Sequence, residues 1–169
     1  AELKFEKEYD AILDDDKSVK TGVKVTVKKH KHTLLLVSGI KLKKNKKIQQ
    51  ADVSLNDPLL PGKEFSFRFN ENDYTFFATG KGDSLENIEH YRMFIKTGTK
   101  TQLICAQPYL DGNMPSVVFI GDIDGDKIPD LILNNSHHYN VGRMTLYLSS
   151  FAESNEILKV MGMLTKTGC

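Results

Sequence analysis

The chain has few cysteines and no long hydrophobic run, and each shortage excludes a class of protein. Two cysteines in 169 residues are too few for a disulfide-dense or metal-stapled miniprotein. The longest apolar runs, such as residues 33–37, fall far short of the roughly 20 residues that a membrane-spanning helix needs. With 40% hydrophobic and 27% charged residues, the sequence predicts a folded domain with a substantial core and no transmembrane segment.

Familiar catalytic motifs and internal repeats are also absent. The sequence has no Gly-x-Ser-x-Gly elbow, no His-Glu-x-x-His pair, no Walker loop and no Gly-x-Gly-x-x-Gly turn. No pattern recurs at a period of about 20–50 residues, so neither a solenoid nor a complete propeller is predicted. Together these absences favour a non-enzymatic binding or interaction module over an enzyme.

Acidic residues are missing from residues 17–51, which contain eleven lysines. Residues 1–50 hold 13 basic and 7 acidic side chains, whereas residues 51–169 hold 10 and 15, so the net charge of +1 hides an uneven distribution. The lysines form either a solvated face that protects strand edges or a patch for a protein or other acidic-surface partner. Arginine and aromatic residues are absent from this stretch, which argues against sequence-specific nucleic-acid binding. The candidate contact residues are Lys43, Lys44, Lys46 and Lys47.

The start of the chain and its cysteines suggest an exported protein. The chain begins at Ala1 without an apolar leader, as a periplasmic or extracellular protein would after signal-peptide removal, although a trimmed chain would look the same. Cys105 lies in an apolar run and Cys169 is the last residue, so a Cys105–Cys169 disulfide would tie down the terminus. The alternative is two unrelated thiols, one buried and one exposed.

Hydrophobic periodicity predicts a mainly β fold. Residues 23–27 and 65–69 alternate apolar and polar side chains, as half-buried strands do. Gly98 lies between two strand-like runs and predicts a hairpin. Short helix candidates cover residues 5–13 and 85–90, so an α+β fold is the alternative to an all-β fold. We expect antiparallel sheets, arranged as a sandwich, in a single domain over residues 1–169. The polar residues 41–62 are a candidate soft boundary.

One motif carries specific chemistry. Four aspartates occupy positions 1, 3, 5 and 9 of a loop between two apolar strands: Asp122, Asp124, Asp126 and Asp130. Four carboxylates this close repel one another unless a cation neutralises them, and calcium accepts six to eight oxygen ligands with flexible geometry. The main-chain carbonyl of Ile128, at position 7, is a further candidate ligand. No cysteine or histidine interrupts the loop, which argues against zinc or copper. The sequence therefore predicts a Ca²⁺ cofactor.

The loop differs from an EF-hand, which requires glycine at position 6 and glutamate at position 12, because these positions are Lys127 and Leu133. It resembles the FG-GAP calcium loop of integrin-type and bacterial VCBS-like repeats, Asp-x-Asp/Asn-Gly-Asp-Gly-x-x-Asp-Leu. The four aspartates match this pattern together with Gly125 and Leu131, whereas Lys127 replaces a glycine. The resemblance implies a strand–calcium loop–strand hairpin in a small exported bacterial protein.

A second polar stretch, residues 134–140, follows the second strand of this hairpin. It could bind a sugar, a peptide or another metal, or form an ordinary turn, and its candidate ligand-binding residues are His137, His138 and Tyr139. Neighbouring side chains in a strand point to opposite faces, so the two histidines are not expected to share a metal. We expect an exported calcium-binding module, for example an inhibitor, an immunity protein or an envelope adhesion protein. The alternative function is a calcium-dependent hydrolase that uses the 134–140 loop.

Overall fold

The structure is a computed structural model that describes residues 2–10, 13–28, 47–53 and 58–168. In these residues every regular element is a β-strand, all ladders are antiparallel, and no helix, closed barrel or propeller is present. This confirms the mainly β prediction and excludes the α+β variant for the described part of the chain. Contacts divide the chain into two compact units, Ala1–Leu36 and Val37–Cys169. Whether residues 1–169 form one folding domain stays a prediction.

The first unit contains a two-stranded hairpin. Strand β1 (Leu3–Glu8) pairs with β2 (Gly22–Val27), with Phe5 opposite Val25. The predicted strand over residues 23–27 is confirmed, but its predicted burial is wrong, because Val23 and Val25 are 60% and 44% exposed. The predicted helix over residues 5–13 is also wrong, since cross-strand pairing holds residues 3–8 extended.

The second unit contains two sheets, each an up-and-down meander over most of its width. The four-stranded sheet has the order β4-β5-β6-β7, and the five-stranded sheet has the order β11-β10-β9-β8-β3. The strands are β3 (Gln49–Gln50), β4 (Glu64–Phe69), β5 (Asn72–Lys81), β6 (Glu89–Thr97), β7 (Lys100–Tyr109), β8 (Ser116–Asp122), β9 (Asp130–Asn134), β10 (Val141–Leu148) and β11 (Lys159–Thr167).

The two sheets of this unit share one hydrophobic core, as a sandwich requires. The four-stranded sheet contributes Phe67 and Phe76, and the five-stranded sheet contributes Leu133 and Tyr147. Tyr147 donates a buried hydrogen bond of 2.9 Å from its hydroxyl to the main-chain oxygen of Ile104 on β7. This bond pairs the one polar atom of a buried ring and fixes the spacing of the sheets.

Turn chemistry explains the connections inside the four-stranded sheet. The predicted hairpin at Gly98 is confirmed: Thr97 pairs with Lys100, and Gly98 has a φ of 55° that a two-residue turn requires. The predicted helix over residues 85–90 is wrong. There the side-chain oxygen of Asn87 accepts hydrogen bonds from the main-chain amides of Asp83 and Ser84, which closes a tight turn.

Leu133 tests the shared core. It is fully buried, so Leu133→Ala should lower the free energy of unfolding by about 2–5 kcal/mol through lost burial and a residual cavity. The matched control is Leu103→Ala, because Leu103 is 47% exposed and should lose less than about 1 kcal/mol. Urea unfolding monitored by tyrosine fluorescence measures both changes. Equal losses in the two variants would contradict the assignment of Leu133 to the core.

Candidate metal centre

The acidic loop connects two neighbouring strands of the five-stranded sheet. Strand β8 ends at Asp122 and β9 begins at Asp130, which confirms the predicted strand–loop–strand hairpin. Gly121 allows β3 to approach, since a β-carbon there would lie 2.3 Å from the main-chain oxygen of Gln49. Within the loop, Gly125 and Lys127 have positive φ angles of 89° and 73°. Lys127 therefore holds a left-handed conformation that glycine adopts with less strain.

Three of the four predicted carboxylates meet. Asp122, Asp124 and Asp130 each offer an oxygen, and these oxygens lie within 4.8 Å of one another. Asp122 and Asp130 are buried, and Asp130 has no solvent exposure. Main-chain amides hold both groups: Asp122 accepts bonds from Gly125 and Lys127, and Asp130 accepts one of 2.7 Å from Ile123. The three aspartates form a group that can hold a metal ion.

The fourth carboxylate, Asp126, is linked to this cluster by the hydroxyl group of Ser149. Its Oδ1 accepts a bond of 2.8 Å from the amide of Ile128, and its Oδ2 accepts one of 2.8 Å from the hydroxyl of Ser149. The same hydroxyl lies 3.1 Å from Oδ1 of Asp130, so Ser149 bridges the two carboxylates. That Asp126 and the carbonyl of Ile128 are metal ligands stays a prediction.

The structure adds three positioning residues that the motif does not contain. Ser149 and Ser150 follow β10, and Ser150 donates its hydroxyl to Asp124. Asn70, in the β4–β5 turn, donates an amide bond of 2.6 Å to the main-chain oxygen of Lys127 and accepts one of 3.1 Å from Gln49. Polar residues directly after an apolar strand could have indicated the serines. No sequence signal connects Asn70 with a loop 57 residues away.

The electrostatics of the cluster favour a cation. In the described parts of the chain, no lysine, arginine or histidine forms an ion pair with Asp122, Asp124 or Asp130. Burial raises the pKa of Asp130 to about 6, and the charge of Asp124 acts in the same direction, whereas the bonds from Ser149 and Ile123 oppose the shift. The donor set is purely oxygen, which suits hard cations such as calcium.

The raised pKa of Asp130 predicts a pH dependence of the metal-free protein. The folded state holds this proton more tightly than the unfolded chain does, so Asp130 should destabilise the fold progressively as the pH rises from 3.8 to about 6. Urea unfolding in excess chelator across this range measures the effect. The variant Asp130→Asn should remove this pH-dependent component, whereas Asp52→Asn, at an exposed carboxylate, should keep it. An unchanged slope in Asp130→Asn would contradict the assignment.

Contacts within residues 134–140, and contacts with Asp111 and β7, hold the side chains of this loop in place. Nε2 of His138 lies 3.0 Å from Oδ2 of Asp111, and its Nδ1 accepts a bond of 3.3 Å from the amide of Asn140. His138 stacks on Tyr139 at 4.5 Å, whereas the ring of His137 meets a tyrosine of β7 edge-on. Both ring nitrogens of His138 are engaged. In the described residues the aspartate cluster is the one group with three potential metal ligands, and neither histidine belongs to it.

Several predicted site residues fall outside the described residues. These are Lys43, Lys44, Lys46 and Cys169, whereas Lys47 is described and exposed. Cys105 is described as a buried free thiol on β7, where its side chain faces the hydrophobic core. Because Cys169 lies outside the described residues, the Cys105–Cys169 disulfide stays a prediction.

Thiol labelling tests both the burial of Cys105 and the predicted disulfide. Burial raises the pKa of Cys105 to about 12, so almost no thiolate forms at pH 8. In the variant Cys169→Ser, Ellman's reagent should leave the native protein unlabelled and should label one thiol per chain in urea. Rapid labelling of the native variant would contradict the burial of Cys105. In the unreduced wild-type protein, no reactive thiol in urea would support the Cys105–Cys169 disulfide, and two reactive thiols would contradict it.

Comparison of the chain with known protein families, with curated proteins and with solved structures finds no match. Among the described residues, no helix is long and apolar enough to cross a membrane.

Proposed function

We propose that the protein binds one Ca²⁺ ion in the 122–130 loop and acts as a calcium-stabilised, non-enzymatic binding domain. The observation that carries the proposal is the meeting of Asp122, Asp124 and Asp130 at the β8–β9 hairpin without a basic partner among the described residues. The resemblance of this loop to the FG-GAP pattern supports the same proposal.

Ligand chemistry favours calcium over magnesium. Calcium accepts six to eight oxygen ligands with flexible geometry, whereas magnesium requires a near-ideal octahedron and usually keeps several of its waters. A loop that gathers three carboxylates and contains further oxygen donors therefore suits calcium better. Asp126, the Ile128 carbonyl and water would complete the shell.

A binding role is better supported than hydrolysis. A general base needs a free ring nitrogen, and both nitrogens of His138 are engaged by Asp111 and Asn140. The hydroxyl of Ser136 donates to the carbonyl of His138 instead of its ring, so it lacks an activating base. The proposed partner is a protein or another acidic surface, which would contact Lys47 and the neighbouring lysines. Export to the periplasm or the cell exterior suits a calcium site, since extracellular modules bind calcium at about 0.1–1 mM.

Thermal unfolding with and without calcium tests the proposal. Calcium at a hundredfold excess over its dissociation constant should stabilise the fold by about 2.7 kcal/mol, which raises Tm by several degrees. Asp122→Asn combined with Asp124→Asn should abolish the rise, because two carboxylates of the cluster are lost. The matched control, Asp111→Asn, removes an exposed carboxylate outside the cluster and should keep the rise.

Magnesium and chelator complete the experiment. Magnesium at the same concentration should give a much smaller rise in Tm than calcium does. A Tm that calcium and excess chelator leave unchanged would overturn the calcium proposal. An equal rise in the double variant and in Asp111→Asn would show that calcium acts elsewhere on the chain.

A further inference from the structure

Strand β10 presents an arginine and a threonine to the interior of the sandwich. Arg143 and Thr145 are two residues apart on β10, so their side chains lie on one face. Tyr147 lies on the same face and donates its hydroxyl to the main chain of β7, so this face is directed towards the four-stranded sheet. Thr145 is 2% exposed, and Arg143 is partly buried.

Each of these two side chains contains a buried polar atom that lacks a hydrogen-bond partner in the described residues. Nε of Arg143 and Oγ1 of Thr145 are buried, and neither has a hydrogen-bond partner among the described residues. No carboxylate there forms an ion pair with Arg143. The two other arginines differ: Arg68 lies 4.0 Å from Asp73 and both it and Arg92 are exposed. Arg143 is therefore the one arginine with a buried guanidinium nitrogen and no ion-pair partner among the described residues.

Hydrogen bonds hold the main chain of Arg143 in place. Its amide donates a bond of 3.0 Å to the side-chain oxygen of Asn134, and its carbonyl accepts one of 2.7 Å from the amide of Asn135. Asn135 is in turn held by Gln107 of β7, whose side-chain amide donates bonds of 3.0 Å to its main-chain and side-chain oxygens. Both sheets thus hold the position at which Arg143 enters the interior.

A buried Nε–H without an acceptor is unfavourable, because it loses hydration and gains no compensating bond. The group that would compensate best is an oxyanion, since carboxylates and phosphates accept two parallel bonds from the planar guanidinium fork, of which Nε is one donor. The hydroxyl of Thr145, on the same face of β10, is a further candidate donor. We propose that Arg143 and Thr145 form an oxyanion-binding site that takes a carboxylate or a phosphate group from outside the chain.

Anion titration of the ¹⁵N-labelled protein tests this site. Inorganic phosphate and acetate are added separately at constant ionic strength, and the Nε–Hε signals of the three arginines are followed by NMR. The Arg143 signal should shift saturably with at least one anion. Arg143→Gln should weaken binding, followed through backbone amide shifts, about tenfold or more, because a charge-assisted interaction is lost. Arg68→Gln is the matched control and should bind as the wild type does.

Two further variants separate binding from folding. Arg143→Lys keeps the positive charge but loses the planar fork, so it should bind the anion more weakly than the wild type even if Arg143→Gln fails to fold. Thr145→Val keeps the side-chain shape and should weaken binding by less than Arg143→Gln does. Binding of phosphate alone assigns the site to phosphorylated ligands, and binding of acetate alone assigns it to carboxylates such as acidic side chains. A linear, unsaturable shift with both anions, or equal affinities in Arg143→Lys, Arg68→Gln and the wild type, would overturn the proposal.

Discussion

The carboxylate of Asp130 is the constraint on which this end of the five-stranded sheet depends. It has no solvent exposure, and a buried anion is tolerated only where hydrogen bonds replace its hydration. Its donors come from two separate segments: the amides of Ile123 and Asp124 at the start of the loop, and the amide and hydroxyl of Ser149 after β10. One side chain therefore fixes the start of β9, the path of the loop and the end of β10. Burial still leaves its pKa raised to about 6, although the hydrogen bonds from Ser149 and Ile123 lower it.

Hydrogen-bond donors explain in part how a loop with four aspartates can be compatible with a buried position. Hydroxyl groups of Ser149 and Ser150 and several main-chain amides supply partial positive charge, but the described residues supply no full positive charge to the cluster. Lys127 belongs to the loop, yet it is exposed, and its main chain is what Asn70 contacts. A cation bound by the carboxylates would supply the missing charge at the point where main-chain geometry has already gathered the oxygens.

The sequence was sufficient for features that depend on local order. Alternation at residues 65–69 and the Gly98 turn each predicted a structure that is present. The spacing of the aspartates predicted a group of four carboxylates, of which three meet. The sequence was not sufficient for features that depend on contacts between segments distant along the chain. Pairing with β2 overrides the helical pattern in residues 5–13, and Asn70 reaches the acidic loop from another sheet. The burial of Cys105 likewise depends on which face of β7 meets the core, and no local pattern of the chain specifies that face.

Strand β10 separates the proposed cation site from the proposed anion site. Its end reaches Asp130 through Ser149, whereas Arg143 stands near its beginning, six residues earlier. At about 3.3 Å per residue the two positions are roughly 20 Å apart. Salt screens buried or partly buried charges much less than exposed ones, so the charge of a cation at the aspartate loop would act on Arg143 across this distance. Binding of a cation at the loop would therefore favour binding of an anion at Arg143.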